Sequence, residues 1–341
     1  MDLTASHSWA ASVITNTVLA DAMPDLTVAV IASPGYAKDL GKRGTSSDIT
    51  LYDAKRGQDT VSFIEPTKYP ERLAPLFYAC SIADAALVVV EEVNAQFGEC
   101  VIMLDALKVQ HGVIILKNYI PRETLAPLLK GTVLESYAFV DEDFVALRES
   151  FLDEAAARVP GEESGQGSVT VDHHFNVKGV GTVILGHVVR GAIHRHDDLR
   201  ALPGTKTAQV RSIQKHDDDF DVATIGDRVG LALKGIDSED LDRGFVLTNQ
   251  EDVRCSARIS ARATLVKYWP SPLKEGMVMH VGHWMQFLPA RVASISEGSD
   301  ARSPMVELVM EKELVHPSGS RAVLCYLDGG KLRVAGSIEL P

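Results

Sequence analysis

Cysteine is sparse in this sequence, and its four occurrences form no recognisable framework. Cys80, Cys100, Cys255 and Cys325 are widely separated and include no C-x-x-C pair. This spacing excludes both a typical zinc site and a disulfide scaffold. We therefore expect reduced thiols, as in a cytoplasmic protein.

Long apolar runs are also missing, although 45% of the residues are hydrophobic. No stretch approaches the roughly 20 apolar residues that a membrane-crossing helix requires. The N-terminal segment contains the acidic Asp2 and no basic run, so it does not resemble a secretion signal. The sequence predicts a soluble, cytoplasmic protein without membrane contacts.

Basic residues are outnumbered, because 34 Lys and Arg stand against 46 Asp and Glu, a net charge of −12. The deficit is uneven: residues 1–158 carry 13 basic and 22 acidic residues, whereas residues 159–341 carry 21 and 24. Phosphate contacts need clustered Lys and Arg, so this balance excludes a protein whose whole surface binds nucleic acid, and no DNA binding is expected. A local basic face in the second part remains compatible with these counts.

The chain divides into an α/β part and an all-β part. The segment VPGEESGQGS at 159–168 is rich in Pro, Gly, Ser and Glu, which is typical of a linker. Residues 1–158 alternate apolar strands with helical patterns, which predicts a mostly parallel sheet covered by helices on both faces. The strands are LTVAVI, TVSFI, AALVVV and HGVIIL, and the helices lie in YPERLAPLFYACSIAD, FGECVIMLDALKVQ and DEDFVALRESFLDEAAARV.

Residues 169–250 and 251–341 have a different texture, with short alternating runs broken by Gly, Asp and Pro. Examples are SVTVDHHFNV, GTVILGHVVRGAI and AQVRSIQ in the first range, and RCSARISARATLVKYW and MVELVMEKELV in the second. Such runs predict antiparallel barrels or sandwiches. The expected fold class is one α/β domain followed by two all-β domains.

The most specific motifs lie in residues 169–250. The segment FNVKGVGTVILG is followed by VRSIQKH, GDRVGLAL and DRGFVL. These residues closely resemble the second domain of elongation factor Tu and, more closely still, that of the selenocysteine-specific elongation factors, which are translational GTPases. The resemblance implies a P-loop-GTPase-like domain over 1–158 and two β-barrels after it. It also implies tRNA, the ribosome or a translation factor as partner.

The loop that would bind phosphate follows the first strand. A P-loop reads G-x-x-x-x-G-K-[ST], in which backbone N–H groups surround the phosphates, Lys reaches them and the hydroxyl binds Mg²⁺. In this family register the sequence is ASPGYAKD, with Lys38 at the lysine position. Ala32 and Ala37 replace both glycines, and Asp39 replaces the hydroxyl residue. Left-handed backbone geometry costs an alanine about 1–2 kcal/mol, so a degenerate loop is predicted.

The later motifs of the family are incomplete as well. Glu65 could replace the aspartate that contacts Mg²⁺ through water, but the expected Gly and His do not follow it. The segment IILKNYIP places Ile120 at the position of the aspartate that reads guanine, and the switch threonine survives as Thr45 or Ser46. Together with the four loop residues above, Glu65 forms at most a remnant site for GTP and Mg²⁺. We predict that the chain does not hydrolyse GTP.

Three histidine motifs, DHH at 172–174, HRH at 194–196 and HVGH at 280–283, raise the question of a metal site. An H-x-H pair on a strand places both imidazoles on one face, as metal sites often require. However, HRH leads into a turn before the next barrel strand. We interpret these histidines as barrel and turn residues and predict no metal.

The resemblance implies RNA or partner contacts for a strip of cations on the first barrel, although scattered solvated cations are the alternative interpretation. The strip comprises Lys178, Arg211, Lys215, Arg228 and Arg243. Three functions stay open. The first, which we predict, is a translation protein that binds tRNA, the ribosome or a translation factor without GTP hydrolysis. The others are a divergent, active GTP-binding elongation factor and a protein–protein scaffold unrelated to RNA.

Overall fold

The computed structural model describes residues 25–159, 161–270, 272–296 and 301–341. The prediction for the N-terminal segment lies outside these ranges. No helix within them is long and apolar enough to cross a bilayer.

Domain 1, as the name is used below, covers residues 25–158. Its strands are β1 (Asp25–Ile31), β2 (Lys42–Ser46), β3 (Thr50–Arg56), β4 (Asp59–Glu65), β5 (Ala85–Val90), β6 (His111–Leu116) and β7 (Ala138–Phe139). Its helices are α1 (Ala74–Ser81), α2 (Ala95–Leu107), α3 (Arg122–Leu129) and α4 (Phe144–Ala156). The strands form one sheet in the order β2-β3-β4-β1-β5-β6-β7. From β4 to β7 all neighbours are parallel, whereas β2, β3 and β4 pair antiparallel.

The four predicted strands and three predicted helices are confirmed. Strand β5 is buried along its whole length, as a central parallel strand should be. Side chains cap two of the helices: Asn94 accepts a hydrogen bond from the Phe97 N–H before α2, and Asp143 accepts two before α4. The β2–β3 ribbon and α3 were not predicted, because KRGTSS carries no apolar alternation and Pro127 lies inside α3.

Barrel 1 follows with strands that run antiparallel. They are β8 (Ser168–Val177), β9 (Gly181–Arg190), β10 (Ala192–His194), β11 (Asp198–Leu202), β12 (Thr207–Lys215), β13 (Asp218–Phe220), β14 (Val222–Thr224), β15 (Arg228–Lys234) and β16 (Val246–Thr248). The main sheet has the order β11-β16-β8-β9-β15-β12-β13, and pairing of β11 with β12 closes it. Gly191 permits the tight turn between β9 and β10, because its φ is 58° and a Cβ would lie 1.9 Å from the Gln166 carbonyl oxygen.

Barrel 2 is a closed antiparallel barrel in the order β17-β20-β19-β18-β21-β22, where these labels denote the last six strands of the chain. They are β17 (Val253–Leu265), β18 (Val278–His283), β19 (Gln286–Ile295), β20 (Met305–Pro317), β21 (Arg321–Cys325) and β22 (Val334–Glu339). Its interior is an apolar cluster separate from that of barrel 1. The predicted fold class, an α/β domain followed by two barrels, is confirmed.

Both barrels contact domain 1. On the barrel 2 side, Phe77 of α1 packs against Phe287 at a ring distance of 5.4 Å, and Arg333 binds Glu99 of α2 at 2.6 Å. On the barrel 1 side, Arg243 binds Asp48 at 2.6 Å. Domain 1 therefore lies against both barrels, and a cleft forms where it meets barrel 1.

Candidate functional site

The first candidate site is a cleft at the carboxyl ends of β1 and β5, called the strand-end cleft below. It has a volume of about 460 Å³. In open parallel sheets this edge is the usual position of a ligand. Glu91 and Glu92 supply the charge of its lining, and among the described residues no Lys or Arg lines it. The cleft is therefore suited to cations rather than to phosphates.

The loop after β1 offers an anion cradle, but a carboxylate of the protein itself occupies it. Gly35 adopts a left-handed backbone, with φ 85° and ψ 10°, before a short 3-10 turn at Tyr36–Asp39. This geometry directs the N–H groups of Gly35 and Ala37 toward one point. Glu65 accepts both hydrogen bonds, the one from Ala37 at 3.0 Å, and is only 2% exposed.

The predicted nucleotide residues do not gather in one place. Ala32 lines the strand-end cleft, whereas Lys38 and Asp39 are exposed and line a groove with Glu149 of α4. Neither predicted alanine needs positive φ, because Gly35 takes the left-handed position and Ala37 lies in the 3-10 turn. The prediction of backbone strain at these two alanines is therefore wrong.

The later motifs are also placed differently from the prediction. Lys117 follows β6 directly and pairs with Glu142, so the position two residues on, where guanine would be read, is Tyr119 rather than Ile120. Ile120 instead packs against the core of domain 1. Thr45 lies in β2 and lines the cleft toward barrel 1, away from the strand-end cleft.

A GTP molecule with Mg²⁺, which the fold suggests, does not fit these residues. The P-loop motif ends in a helix whose N-terminus supports the phosphates, but here the 3-10 turn leads into β2 instead. The two cradle N–H groups already have an acceptor. A triphosphate in the strand-end cleft would face Glu91 and Glu92, so repulsion would replace the usual attraction.

The second candidate site, called the interdomain cleft below, lies between the β2–β3 ribbon and barrel 1. It has a volume of about 450 Å³. Its charged lining residues are Lys42, Arg43, Asp53, Lys55, His216, Asp217 and Arg228. Lys42 and Arg43 are exposed and form no ion pair with any residue that the structure describes. This cleft is suited to an anionic partner.

The predicted cation strip of barrel 1 separates into two groups. Lys215 is 6% exposed and binds Asp227 at 3.1 Å, so it is a buried structural residue. Arg243 is likewise held by Asp48. Arg228 binds Asp172 at 3.5 Å and is also one of the residues that line the interdomain cleft.

The other two members of the strip, Lys178 and Arg211, are exposed. The Arg211 guanidinium donates a hydrogen bond to the Val180 carbonyl oxygen at 3.1 Å, which brings it to the tip of the β8–β9 hairpin beside Lys178. A role of these cations in partner binding stays a prediction.

Sequence analysis missed a buried charge cluster between domain 1 and barrel 1. Asp172 is 2% exposed and lies against His173, His187 and Arg228 at 2.6, 3.6 and 3.5 Å. Although burial alone would raise its pKa, Arg228 and the histidines lower it below the ordinary value. Burial lowers the pKa of His187 to about 4. The consecutive Asp-His-His of β8 was the available signal, because one of its members had to face the interior.

The other histidine motifs are explained by local contacts and burial. The ring of His194 lies 3.5 Å from Asp197, and His283 is buried with its pKa lowered to about 4 by desolvation. Within the described ranges, no three His, Cys, Asp or Glu side chains are grouped so that they could hold a metal ion.

Comparison with known proteins shows similarity to elongation factors. The family model for elongation factor Tu domain 2 matches residues 181–248. The uncharacterized protein MJ0325 of Methanocaldococcus jannaschii is 35% identical over 316 residues, covering 92% of this chain and 99% of the relative. The selenocysteine-specific elongation factor of the same organism is 26% identical, covering 89% of this chain and 72% of its own length.

A solved structure extends the comparison to the fold. The translation elongation factor SelB of Methanococcus maripaludis, crystallised with the GTP analogue GppNHp, superposes with a TM-score of 0.77 at 22% identity. The match covers 93% of this chain and 78% of that chain. The order of one α/β domain and two barrels is thus shared.

Proposed function

The chain belongs to one family with the M. jannaschii protein MJ0325 and is homologous to the selenocysteine-specific elongation factors, and we propose that it binds an RNA of translation without hydrolysing GTP. The RNA is tRNA or the RNA of the ribosome. The observation that carries this proposal is the interdomain cleft, where Lys42 and Arg43 stand exposed at the junction with the elongation factor Tu-like barrel.

Electrostatics supports RNA as the ligand of this cleft. The whole chain carries a net charge of −12, so a general attraction to polyanions is not expected. Binding must then come from local cations, and the interdomain cleft combines Lys42, Arg43 and Arg228 in one concave surface. Phosphate contacts of this kind position an RNA backbone and make affinity depend on salt.

The second half of the proposal, the absence of GTP hydrolysis, is supported by the strand-end cleft. The amide cradle of the loop after β1 is filled by Glu65, and the lining of the strand-end cleft is acidic. The Mg²⁺-binding hydroxyl of the motif is replaced by the exposed Asp39. A divergent active GTPase would need this loop to rebuild around phosphate.

A binding measurement tests the first half. We expect total tRNA to bind the wild-type chain in a filter or fluorescence assay, and a Lys42→Ala, Arg43→Ala double variant to bind about tenfold more weakly. The slope of log K against log salt concentration should become shallower by about two in this variant, because two phosphate contacts are lost. The matched control is Lys312→Ala, which removes an exposed cation from β20 of barrel 2 and should leave the affinity unchanged.

The outcomes separate the three functions. Equal RNA affinity in the double variant and the wild type would contradict the assignment to this cleft. GTP turnover by the wild-type chain, with or without ribosomes, would instead favour the active GTPase. A protein scaffold has its own observation in favour, since Phe175, Val177 and Val180 are 41%, 39% and 41% exposed on the β8–β9 hairpin. It gains support if no RNA binds.

A further inference from the structure

We propose that Glu65 is a permanent internal anion of domain 1, which fills the amide cradle after β1 in place of an external phosphate. This inference goes beyond the proposed function, because it states what stabilises the loop and not only that GTP is not hydrolysed. The loop after β1 is therefore expected to keep its conformation without a bound ligand.

The geometry of the cradle carries the proposal. A left-handed residue followed by right-handed ones makes a backbone nest, in which the N–H groups of the first and third residues converge on one anion. Here Gly35 is left-handed, and the N–H groups of Gly35 and Ala37 donate to the two different carboxylate oxygens of Glu65. The carboxylate thus meets the cradle in a bidentate manner.

The sheet delivers Glu65 to this position. Strands β1 and β4 are parallel neighbours, so both end at the same edge, where β1 continues into the loop and β4 ends with Glu65. The side chain is 2% exposed. A buried carboxylate needs hydrogen-bond donors, and the cradle N–H groups need an acceptor, so each satisfies the other.

The surroundings discourage a competing phosphate. An entering anion would have to displace the Glu65 carboxylate or lie beside it, and like charges at such distances repel. The strand-end cleft offers no compensation, since Glu91 and Glu92 lie there and, among the described residues, no Lys or Arg lines it.

Removing the internal anion should therefore create an anion site. We expect Glu65→Ala to unfold about 5 °C below the wild type, because two buried N–H groups lose their acceptor. Inorganic phosphate or pyrophosphate, compared with chloride at equal ionic strength, should raise the midpoint of the variant by several degrees and leave that of the wild type unchanged. Glu92→Ala, which removes a carboxylate from the strand-end cleft but not from the cradle, should show neither effect.

Each result decides the proposal. It is overturned if phosphate stabilises the wild type as much as Glu65→Ala, or if Glu65→Ala folds and gains no response to phosphate. If Glu65→Ala does not fold, Glu65→Gln takes its place, since it retains one acceptor and should show a smaller loss and a smaller response. GTP turnover by the wild type would contradict the proposed function, whereas an unresponsive Glu65→Ala contradicts this inference alone.

Discussion

The strand-end cleft and the interdomain cleft are nearly equal in volume, about 460 and 450 Å³, but they differ in charge. The first is lined by Glu91 and Glu92, and the second by Lys42, Arg43 and other cations beside two aspartates. Domain 1 borders both. The strand-end cleft, where the α/β fold favours an anionic ligand, is acidic. The surface that is suited to anions is instead the interdomain cleft at the contact with barrel 1.

The fold determines where a ligand site lies, whereas the side chains determine which ligand it takes. Replacing the helix after the loop by the β2–β3 ribbon removes the phosphate support from the strand-end cleft. The same ribbon carries Lys42 and Arg43 into the interdomain cleft. One change in the chain path thus accounts for the missing phosphate support in the first cleft and for Lys42 and Arg43 in the second.

The largest effect is expected from undocking barrel 1, which should damage the interdomain cleft alone. Arg243→Ala removes the partner of Asp48 and the hydrogen bond to Ser47. Leaving a partly buried carboxylate unpaired should cost about 2 kcal/mol of docking free energy. Hydrogen exchange should then become about 30-fold faster in residues 46–48 and 172–174 and remain unchanged in residues 88–91.

The control for this experiment is Arg211→Ala, which removes an exposed arginine of the same barrel that donates to its own Val180 carbonyl group. Arg211→Ala should leave hydrogen exchange unchanged in residues 46–48, 172–174 and 88–91. Equal acceleration at both clefts in Arg243→Ala would mean that the two clefts form one cooperative unit, and the contrast between them would lose its structural basis.

The fold class could be read from the sequence, because buried parallel strands and alternating barrel strands leave strong periodic patterns. LTVAVI, AALVVV and SVTVDHHFNV all became strands. The β2–β3 ribbon could not be read, since its outer strand pairs through the backbone while its side chains stay polar and exposed.

The candidate site was predictable only in part. The prediction of a degenerate P-loop rested on Ala32, Ala37 and Asp39, but the role of Glu65 as acceptor in the cradle depends on the adjacency of β1 and β4 across 30 residues of chain. The pairing of Lys215 with Asp227 is equally non-local, because it follows from barrel closure. A linear pattern of cations therefore cannot separate surface residues from buried ones.

A second, smaller effect should appear in the pH dependence of the interdomain cleft. Burial disfavours a charged His216, but Asp25 at 3.4 Å outweighs it and raises the pKa of His216. This pair therefore stabilises the fold fully below about pH 6.5, the ordinary histidine value, and loses its contribution as pH rises through the raised pKa. His187 acts in the opposite direction, because its pKa is lowered to about 4 and stability falls as pH drops from about 6.5 toward it.

The measurement is the thermal midpoint of wild type and His216→Gln across this range. The wild type should lose about 2–4 °C above pH 6.5 beyond what the variant loses, and both should fall similarly on the acid side. The strand-end cleft has no histidine in its described lining. The stabilisation of Glu65→Ala by phosphate should therefore not depend on pH in this way. Identical alkaline slopes in both proteins would contradict the assignment to His216.

Lys38→Ala is expected to leave nucleotide binding unchanged in a titration with a fluorescent GDP or GTP analogue and Mg²⁺. Lys38 holds the lysine position of the motif but lies in the groove beside α4, outside the strand-end cleft. Both proteins should therefore show the same absence of binding. Micromolar affinity for guanine nucleotides in the wild type that is lost in the variant would require the loop to release Glu65 and turn Lys38 into the cleft. In that case the strand-end cleft would be an anion site after all, and the acidic residues at its edge would have to be balanced by the metal.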